Sequence, residues 1–366
     1  MTRPLDSLAA AGVSTWLDDL SRQRITDGSL KSLIADVGVV GVTTNPSIFH
    51  KAITSSGGNY DEQLRSCAQR GLNAEETVKE LTVRDVTEAC DLFTAVYAAT
   101  DGVDGRVSIE VDPRLAHDTQ ATIAAAKELH AAVGRPNVMI KIPATLAGLP
   151  AISAVLAAGI SVNVTLIFSV ERYLQVMDAF ATGLEAARAT GLDLSRIHSV
   201  ASFFVSRVDT AVDSKLSDLA DAGSHLLGRA AVANARLAWG AFMDFSASPR
   251  WQALAPHARP QRPLWASTGV KNPAYSATKY VDELVASPCV NTMPEATLLS
   301  TAAAAGPFQD TITAAIADAR SVWSELEGLG VSQIEVLEQL ERDGVQQFID
   351  AWQALLDAVA ARLTGD

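Results

Sequence analysis

The feature that most constrains the fold is a repeated alternation between short β-branched runs and longer stretches with helical periodicity. Eight such runs occur along the 366 residues, at residues 13–18, 37–44, 106–111, 137–142, 160–168, 197–204, 263–267 and 289–293. Helical patterns separate them, for example over residues 118–132 and 144–158. This alternation is typical of a parallel β-sheet covered by helices.

Two architectures satisfy this pattern, a closed (β/α)8 barrel and a doubly wound open sheet. A dinucleotide-binding open sheet carries a glycine fingerprint after its first strand, and none follows residues 13–18. Eight strands separated by helices therefore favour an α/β (β/α)8 TIM barrel, with the open sheet as the alternative. We expect a single domain over residues 1–366, because no repeat, low-complexity tract or Pro/Ser-rich linker divides the chain.

Three segments are longer than a one-helix connection requires. Those at about 46–105 and about 205–262 are expected to carry inserted helices. The segment at about 307–364 has apolar helical faces, so the barrel should also have a helical C-terminal tail that closes its bottom or overhangs its mouth.

Composition limits the class of partner and the compartment. The formal net charge of −13 argues against nucleic acid or an anionic membrane surface, and allows an anionic small molecule only where cations gather at one site. Three scattered cysteines fit a reducing compartment, so we expect a cytoplasmic protein. Polar residues break the apolar stretch at residues 149–168, which indicates a buried helix, turn and strand rather than a membrane span.

One lysine, Lys141, lies within the apolar run VMIKIP. Strand alternation directs Val138, Ile140 and Ile142 toward the surrounding helices and Lys141 toward the barrel interior. Lysine is almost never buried unless it is paired or has a task. The sequence therefore predicts an interior amine near a strand end, where such barrels carry their chemistry.

Polar residues and one aromatic residue occupy comparable inward positions at the ends of the other strands. They are Asp18, Thr43, Asn45, Ser108, Glu110, Asn163, Thr165, Ser202 and Phe204. Taken singly, an Asn or Thr at a strand end usually satisfies a loop backbone, and a buried carboxylate usually pairs with the nearest cation. Their occurrence together on most of the strands, around a lysine, favours an active site.

An interior amine of this kind suits Schiff-base chemistry. A neutral amine attacks a carbonyl, and the resulting iminium accepts the electrons of a neighbouring C–C bond when a carboxylate removes a hydroxyl proton. Asp18 and Glu110 are the inward carboxylates. The mechanism needs no metal and no cofactor, and the six histidines show no ligand spacing, so we interpret His198 as a hydrogen-bonded core residue.

Three residues could anchor an anionic substrate. Arg207 follows the sixth strand, and Ser267 and Lys271 belong to a glycine-containing turn after the seventh. A hydroxyl, two cations and backbone N–H groups suit a phosphate. Taken alone, Arg207 is equally suited to an ion pair with Asp209 or another acid.

Several motifs in fixed order resemble the transaldolase family, in particular its longer, monofunctional bacterial type. They are GVTTNPSIF, VSIEVDPRLAHD, NVMIKIPAT, ISVNVTLIFS, VASFFVSRVD and LWASTGVKNP, and they span most of the chain. The resemblance implies a class I aldolase-like (β/α)8 transferase of the pentose phosphate pathway, acting on sugar phosphates.

The resemblance also implies roles for individual residues. Lys141 would form the Schiff base with the donor ketone, Asp18 would accept the C4 hydroxyl proton, and Glu110 with Thr165 would position water. The implied contacts to the dihydroxyacetone unit come from Asn45, Asn163 and Ser202, and the implied phosphate contacts from Arg207, Ser267 and Lys271. We also assign Thr43, Ser108 and Phe204 to the substrate site.

Two positions depart from the family pattern. An arginine often stands where the seventh-strand motif brings Lys271, and the familiar Ser-Pro-Phe after the sixth strand is Ser202-Phe203-Phe204 here. Neither departure involves Lys141 or the two carboxylates.

Three other functions compete with a transaldolase. A fructose 6-phosphate aldolase shares the lysine, but tends to have glutamine and tyrosine in place of Glu110 and Phe204. A non-catalytic sugar-phosphate binder would use Lys141 as a structural cation. A metal- or NAD-dependent enzyme lacks a ligand cluster or glycine fingerprint. For the oligomeric state, we expect either a monomer or a homodimer.

Overall fold

The computed structural model describes residues 3–55, 57–304 and 306–364. The barrel strands are β1 (Val13–Leu17), β2 (Gly41–Val42), β3 (Arg106–Glu110), β4 (Val138–Pro143), β5 (Val162–Ile167), β6 (Ser199–Phe204), β7 (Arg262–Ala266) and β8 (Cys289–Met293). Each strand is parallel to its neighbours, and β1 also pairs with β8, from Val13 opposite Cys289 to Leu17 opposite Met293. The closed order β1 to β8 confirms the predicted (β/α)8 barrel, and the open-sheet alternative is wrong.

Helices precede, connect and follow the strands. They are α1 (Asp6–Ala10), α2 (Arg22–Thr26), α3 (Ser29–Ser32), α4 (Pro46–Ser55), α5 (Asp61–Gln69), α6 (Ala74–Leu92), α7 (Thr94–Ala99), α8 (Thr119–Val133), α9 (Gly148–Ala157), α10 (Val170–Ala189), α11 (Ser206–Ser217), α12 (Ala230–Ala247), α13 (Pro249–Gln252), α14 (Lys279–Asp282), α15 (Glu295–Ala304), α16 (Ile316–Gly328) and α17 (Gln333–Thr364). Helices α4 to α7 and α11 to α13 occupy the two long segments in which inserted helices were expected.

The second strand differs most from its prediction. Residues 33–37 form a π-helical turn, Gly38 leaves it with a φ of 104°, and regular strand is confined to Gly41–Val42. The strand is held close to its neighbour, because a side chain at Gly41 would place its Cβ 2.6 Å from the Trp16 ring. The prediction that the strand begins at residue 37 is therefore wrong.

The outward residues of the strands form the core between barrel and helices. Val138, Ile140 and Ile142 are all buried, as is every other residue of β4. Helix α8 begins where expected, because the Asp118 side chain accepts a 2.9 Å hydrogen bond from the Ala121 N–H. The apolar stretch at residues 149–168 forms most of α9 and then β5. No helix in the described part of the chain is long and apolar enough to cross a membrane.

The C-terminal helix α17 lies over the carboxyl end of the barrel. It packs on α4 and α6 and contacts β5. Gly344 lies so close to β5 that an added Cβ would be 3.2 Å from Leu166 and from Phe168. The sequence allowed the tail either to close the barrel bottom or to overhang its mouth. In the structure, α17 overhangs the mouth.

Candidate active site

A cavity of about 220 Å³ lies at the carboxyl end of the barrel beneath α17. We call it the mouth cavity. Ten of the thirteen predicted site residues line it, namely Asp18, Thr43, Asn45, Lys141, Thr165, Ser202, Phe204, Arg207, Ser267 and Lys271. The other three, Ser108, Glu110 and Asn163, are buried beside or beneath it.

Lys141 is the buried amine of the mouth cavity. Its side chain is 5% exposed, and its Nζ donates a 3.1 Å hydrogen bond to the Thr44 carbonyl. Nζ also lies 3.3 Å from Glu110 Oε2 and 5.4 Å from the centre of the Phe348 ring. The amine thus sits between a carboxylate and an aromatic face, and it still lines a cavity that a substrate can enter.

Glu110 lies on β3 directly opposite Lys141 on β4. Burial raises the pKa of Glu110 to about 7, although the positive charge of Lys141 acts in the opposite direction. Apart from the ion pair, neither carboxylate oxygen has a hydrogen-bond partner in the described part of the chain. Glu110 is therefore suited to exchange a proton near neutral pH.

Asp18 immediately follows β1, and its N–H donates to the Met293 carbonyl of β8 at 2.8 Å. The carboxylate faces the mouth cavity, yet the protein around it raises its pKa by desolvation, which the charge of Lys141 opposes. The Thr43 hydroxyl donates to Asp18 Oδ1 at 2.7 Å, and it lies 2.6 Å from the Thr292 hydroxyl. Asp18 and Glu110 thus lie in two different environments around one amine.

A chain of hydrogen bonds runs beneath the mouth cavity. Asn163 donates from Nδ2 to the Ser108 hydroxyl at 3.0 Å, and its Oδ1 accepts from the Ser202 hydroxyl at 2.7 Å. The NH₂ and the carbonyl oxygen of this buried side chain are thus both hydrogen-bonded. Of the three residues, only Ser202 lines the cavity. The arrangement fixes the orientation of the Ser202 hydroxyl at the cavity wall.

Thr165 adjoins an irregularity in β5. The register between β5 and β6 shifts between Val164 and Ile167, and Leu166 adopts a φ of 60°. A β-bulge of this kind redirects neighbouring side chains and is common beside active sites. Thr165 is buried at the cavity wall, and its hydroxyl has no partner among the described residues.

The possible phosphate anchors occupy one side of the mouth cavity. The Arg207 guanidinium lies 5.3 Å from the centre of the Phe204 ring, which itself packs on Phe168. Ser267 adopts a φ of 55° and lies within 3.0 Å of the Ser206 hydroxyl, while Lys271 is exposed at the rim. Asp209 instead binds the Ala231 N–H and the Tyr280 hydroxyl, so it does not compete for Arg207.

Three contributors to the site were not found from the sequence. Phe348 of α17 covers Lys141. The Thr44 carbonyl accepts a hydrogen bond from the Lys141 amine. An apolar residue in an amphipathic helix gives no indication of which cavity it covers, and a backbone carbonyl has no signal in the sequence. The third is Thr292 of β8, whose hydroxyl lies beside that of Thr43. Its strand was predicted, but the residue was not considered for the site.

Outside the mouth, His198 fits its interpretation as a core residue. It is 7% exposed, and burial together with three neighbouring arginines lowers its pKa to about 3. Among the described residues, no group of three or more His, Cys, Asp or Glu side chains could hold a metal ion.

The fold and the site together define a (β/α)8 barrel enzyme whose mouth holds a buried lysine paired with a carboxylate. Comparison with known proteins then gives the family. The family model "Transaldolase/Fructose-6-phosphate aldolase" matches residues 15–359, and the chain belongs to this family. The resemblance inferred from the motifs is confirmed.

Curated relatives match over almost the whole chain. "Transaldolase 1" of Streptomyces avermitilis is 59% identical over 363 residues, which cover 99% of this chain and 96% of the relative. "Transaldolase" of Saccharopolyspora erythraea is 56% identical, with 98% and 97% covered. "Transaldolase" of Thermobifida fusca is 56% identical, with 99% of each chain covered.

Proposed function

We propose that this chain is a transaldolase, a transferase of the non-oxidative pentose phosphate pathway. It transfers a dihydroxyacetone unit from sedoheptulose 7-phosphate or fructose 6-phosphate to glyceraldehyde 3-phosphate or erythrose 4-phosphate. The observation that carries the proposal is the Lys141 amine, buried between Glu110 and the Phe348 ring and open to the mouth cavity. Membership of the family and the names of the relatives support it.

The reaction begins at the amine. Neutral Lys141 adds to the C2 carbonyl of the donor, and loss of water from the carbinolamine gives an iminium. Asp18 then removes the proton of the C4 hydroxyl, the C3–C4 bond breaks, and its electron pair moves into the iminium to form an enamine. The aldehyde product leaves, the acceptor aldehyde enters, and the same steps run in reverse.

Glu110 and Thr165 manage water in this scheme. A carboxyl with a pKa of about 7 can protonate the departing hydroxyl and take the proton back from water during hydrolysis. The Thr165 hydroxyl at the cavity wall, which has no partner among the described residues, would hold that water.

The retained three-carbon unit is held from the cavity wall. Asn45 and Ser202 line the cavity and bind its hydroxyls, while Asn163 and Ser108 orient Ser202 from beneath. In this proposal Thr43 orients Asp18, and Phe204 gives the unit an apolar face.

Arg207, Ser267 and Lys271 bind the phosphate. All three line the same side of the mouth cavity, away from Glu110. Arg207 is partly buried over Phe204, so its charge is less screened than that of the exposed Lys271. We therefore assign the larger share of phosphate binding to Arg207.

The test is reductive trapping. Fructose 6-phosphate and borohydride are added to the natural protein, to Lys141→Met and to Lys127→Met, whose lysine lies exposed on α8. Intact mass and peptide mapping should show a reduced three- or six-carbon adduct on Lys141, present in the natural protein and Lys127→Met and absent from Lys141→Met. Binding of the sugar phosphate with no adduct in any protein would leave a binding protein and refute the enzyme.

A second assay separates transfer from release. With erythrose 4-phosphate present, a transaldolase forms sedoheptulose 7-phosphate, whereas a fructose 6-phosphate aldolase releases free dihydroxyacetone. Glu110 and Phe204 favour transfer, because the aldolases tend to carry glutamine and tyrosine there. Predominant release of dihydroxyacetone would assign the chain to the aldolase branch of its family.

Two properties stay as proposals. A cytoplasmic location agrees with three cysteines, Cys67, Cys90 and Cys289, that are buried and free of disulfides. A monomer or a homodimer is expected, and light scattering during gel filtration distinguishes them.

A further inference from the structure

A second cavity of about 220 Å³ lies on the other side of Glu110 from the phosphate anchors. We call it the rear cavity. Asn45 lines both cavities, whereas Glu110 lines only the rear one and Lys141 only the mouth. Helix α17 contributes a wall to each, with Phe348 in the mouth and Trp352 in the rear cavity.

The rear cavity extends from the surface to the side chain of Glu110. At its outer end, Glu75 and Glu128 have side chains that are 61% and 64% exposed. At its inner end lies Glu110, whose side chain is 4% exposed. The passage is therefore a candidate second connection between solvent and the carboxylate that faces the amine.

The lining of the rear cavity suits water better than a sugar phosphate. It contains four acidic residues, Glu75, Glu110, Asp112 and Glu128, against one lysine, Lys79. The lysine is already paired with Glu128, and Arg114 pairs with both Glu75 and Asp112, so this lining offers a phosphate ester no unpaired cation. The Trp352 indole N–H and, apart from the ion pair with Lys141, both Glu110 oxygens are buried without hydrogen-bond partners among the described residues, so unsatisfied polar groups border the cavity.

The reaction itself requires a route for water. Formation of the iminium releases one water that carries the oxygen of the donor C2 carbonyl, and hydrolysis of the iminium consumes one water. At both moments a phosphorylated sugar occupies the mouth cavity. A water that leaves by the mouth has to pass the substrate, while one that leaves past Glu110 does not.

We propose that the rear cavity is the path by which water leaves and re-enters the Schiff base at Lys141. This inference rests on the proposed function. The rear cavity would then also influence the outcome of the reaction. The supply of water to the iminium determines how often the three-carbon unit is hydrolysed instead of transferred.

The test fills the rear cavity without touching the mouth. Ala125 of α8 lines the rear cavity, whereas its neighbour Ala124 is exposed on the same helix. Ala125→Trp and the smaller Ala125→Leu are compared with Ala124→Trp and the natural protein. Each is incubated with fructose 6-phosphate in ¹⁸O-water, and mass spectrometry follows the label entering C2, corrected for exchange without enzyme. Borohydride trapping gives the rate of adduct formation in parallel.

The proposal predicts that the exchange rate, divided by the rate of adduct formation, falls at least about tenfold in Ala125→Trp. It should fall less in Ala125→Leu and stay unchanged in Ala124→Trp. The reason is that a confined water returns its original oxygen to the same iminium. If Ala125→Trp does not fold, Ala125→Leu decides.

The other outcomes are distinct. An unchanged ratio in folded Ala125 variants means that water uses the mouth, which overturns the rear route and leaves the proposed function intact. Absence of any adduct in the natural protein overturns both.

Discussion

The Thr43 hydroxyl donates a 2.7 Å hydrogen bond to Asp18 Oδ1 across the β1–β2 edge of the mouth cavity. Burial raises the pKa of Asp18, and this hydrogen bond opposes the rise because it stabilises the ionised form. Thr43 thereby helps to keep Asp18 able to accept a proton.

The first prediction concerns Thr43→Val. Loss of the hydrogen bond should raise the pKa of Asp18 further, so the acidic limb of the kcat/KM profile should move to higher pH. A hydrogen bond to a charged group contributes about 1.5–3 kcal/mol, which corresponds to a roughly 10- to 100-fold loss of transfer on that limb. Thr15→Val is the control, since the Thr15 hydroxyl of β1 is buried without a partner among the described residues. A profile that keeps its position would show that Thr43 does not act through Asp18.

The second prediction concerns Asp18→Asn. An amide cannot accept the C4 hydroxyl proton, so C–C cleavage should slow by about 10²- to 10⁴-fold while the Schiff base still forms. Borohydride should then trap mainly the intact six-carbon adduct in place of the three-carbon one. Asp19→Asn is the matched control, because Asp19 pairs with Arg24 outside the mouth cavity. Undiminished three-carbon adduct in Asp18→Asn would remove Asp18 from the cleavage step.

The third prediction concerns Phe348→Ala. The ring lies over the Lys141 amine, and a cation over an aromatic face gains about 0.5–2 kcal/mol, so the cationic iminium should become roughly 2- to 30-fold less populated in borohydride trapping. The substitution also removes core packing, at a cost of about 3–5 kcal/mol in stability. Leu356→Ala creates a comparable cavity further along α17 and should lower Tm without altering trapping. Equal trapping losses in the two variants would indicate a stability effect alone.

The fourth prediction compares Arg207→Gln with Lys271→Gln. Loss of a partly buried cation should raise KM for fructose 6-phosphate about 10- to 100-fold, whereas loss of the exposed lysine should raise it only a few-fold. With unphosphorylated fructose as donor, neither variant should differ much from the natural protein. A larger effect at Lys271 would reverse the assignment of the main phosphate contact.

The fifth prediction concerns pH and Glu110. The unfolded chain releases this proton near pH 4.5, whereas folded Glu110 holds it until about pH 7. The folded state therefore binds more protons in this window, and the contribution of Glu110 to stability decreases as pH rises from 4.5 to 7. Glu110→Gln lacks this decrease, so its Tm relative to the natural protein should rise between pH 4.5 and 7 in thermal denaturation. A pH-independent difference would contradict the raised pKa.

Strand alternation carried most of the predictable information. It identified Lys141 as an inward amine and placed Asp18 at the mouth, because the period of a strand assigns each residue to a face. It failed at β5, because strict alternation would direct Leu166 to the outer face of the strand. The irregularity there turns the Leu166 side chain toward α17 instead. A bulge depends on pairing between strands, which a single sequence does not display.

Long-range packing was the other limit. The helical tail was recognisable from its apolar face, but its position over the mouth depends on the fit of Gly344 against Leu166 and Phe168. Phe348 and the rear cavity follow from that fit, so neither was predicted. The polar residues at inward strand positions therefore identified the reactive groups. The helix and the cavity that surround these groups were visible only in the three-dimensional structure.

The fit of Gly344 against β5 also has a consequence for synthesis of the chain. All eight strands precede α17 in the sequence, so the barrel can close on a ribosome before the residue that covers Lys141 has been made. Until α17 docks, Lys141 at the mouth lacks the cover that the Phe348 ring provides. The cover of the active site is thus made after the strands that carry its reactive groups.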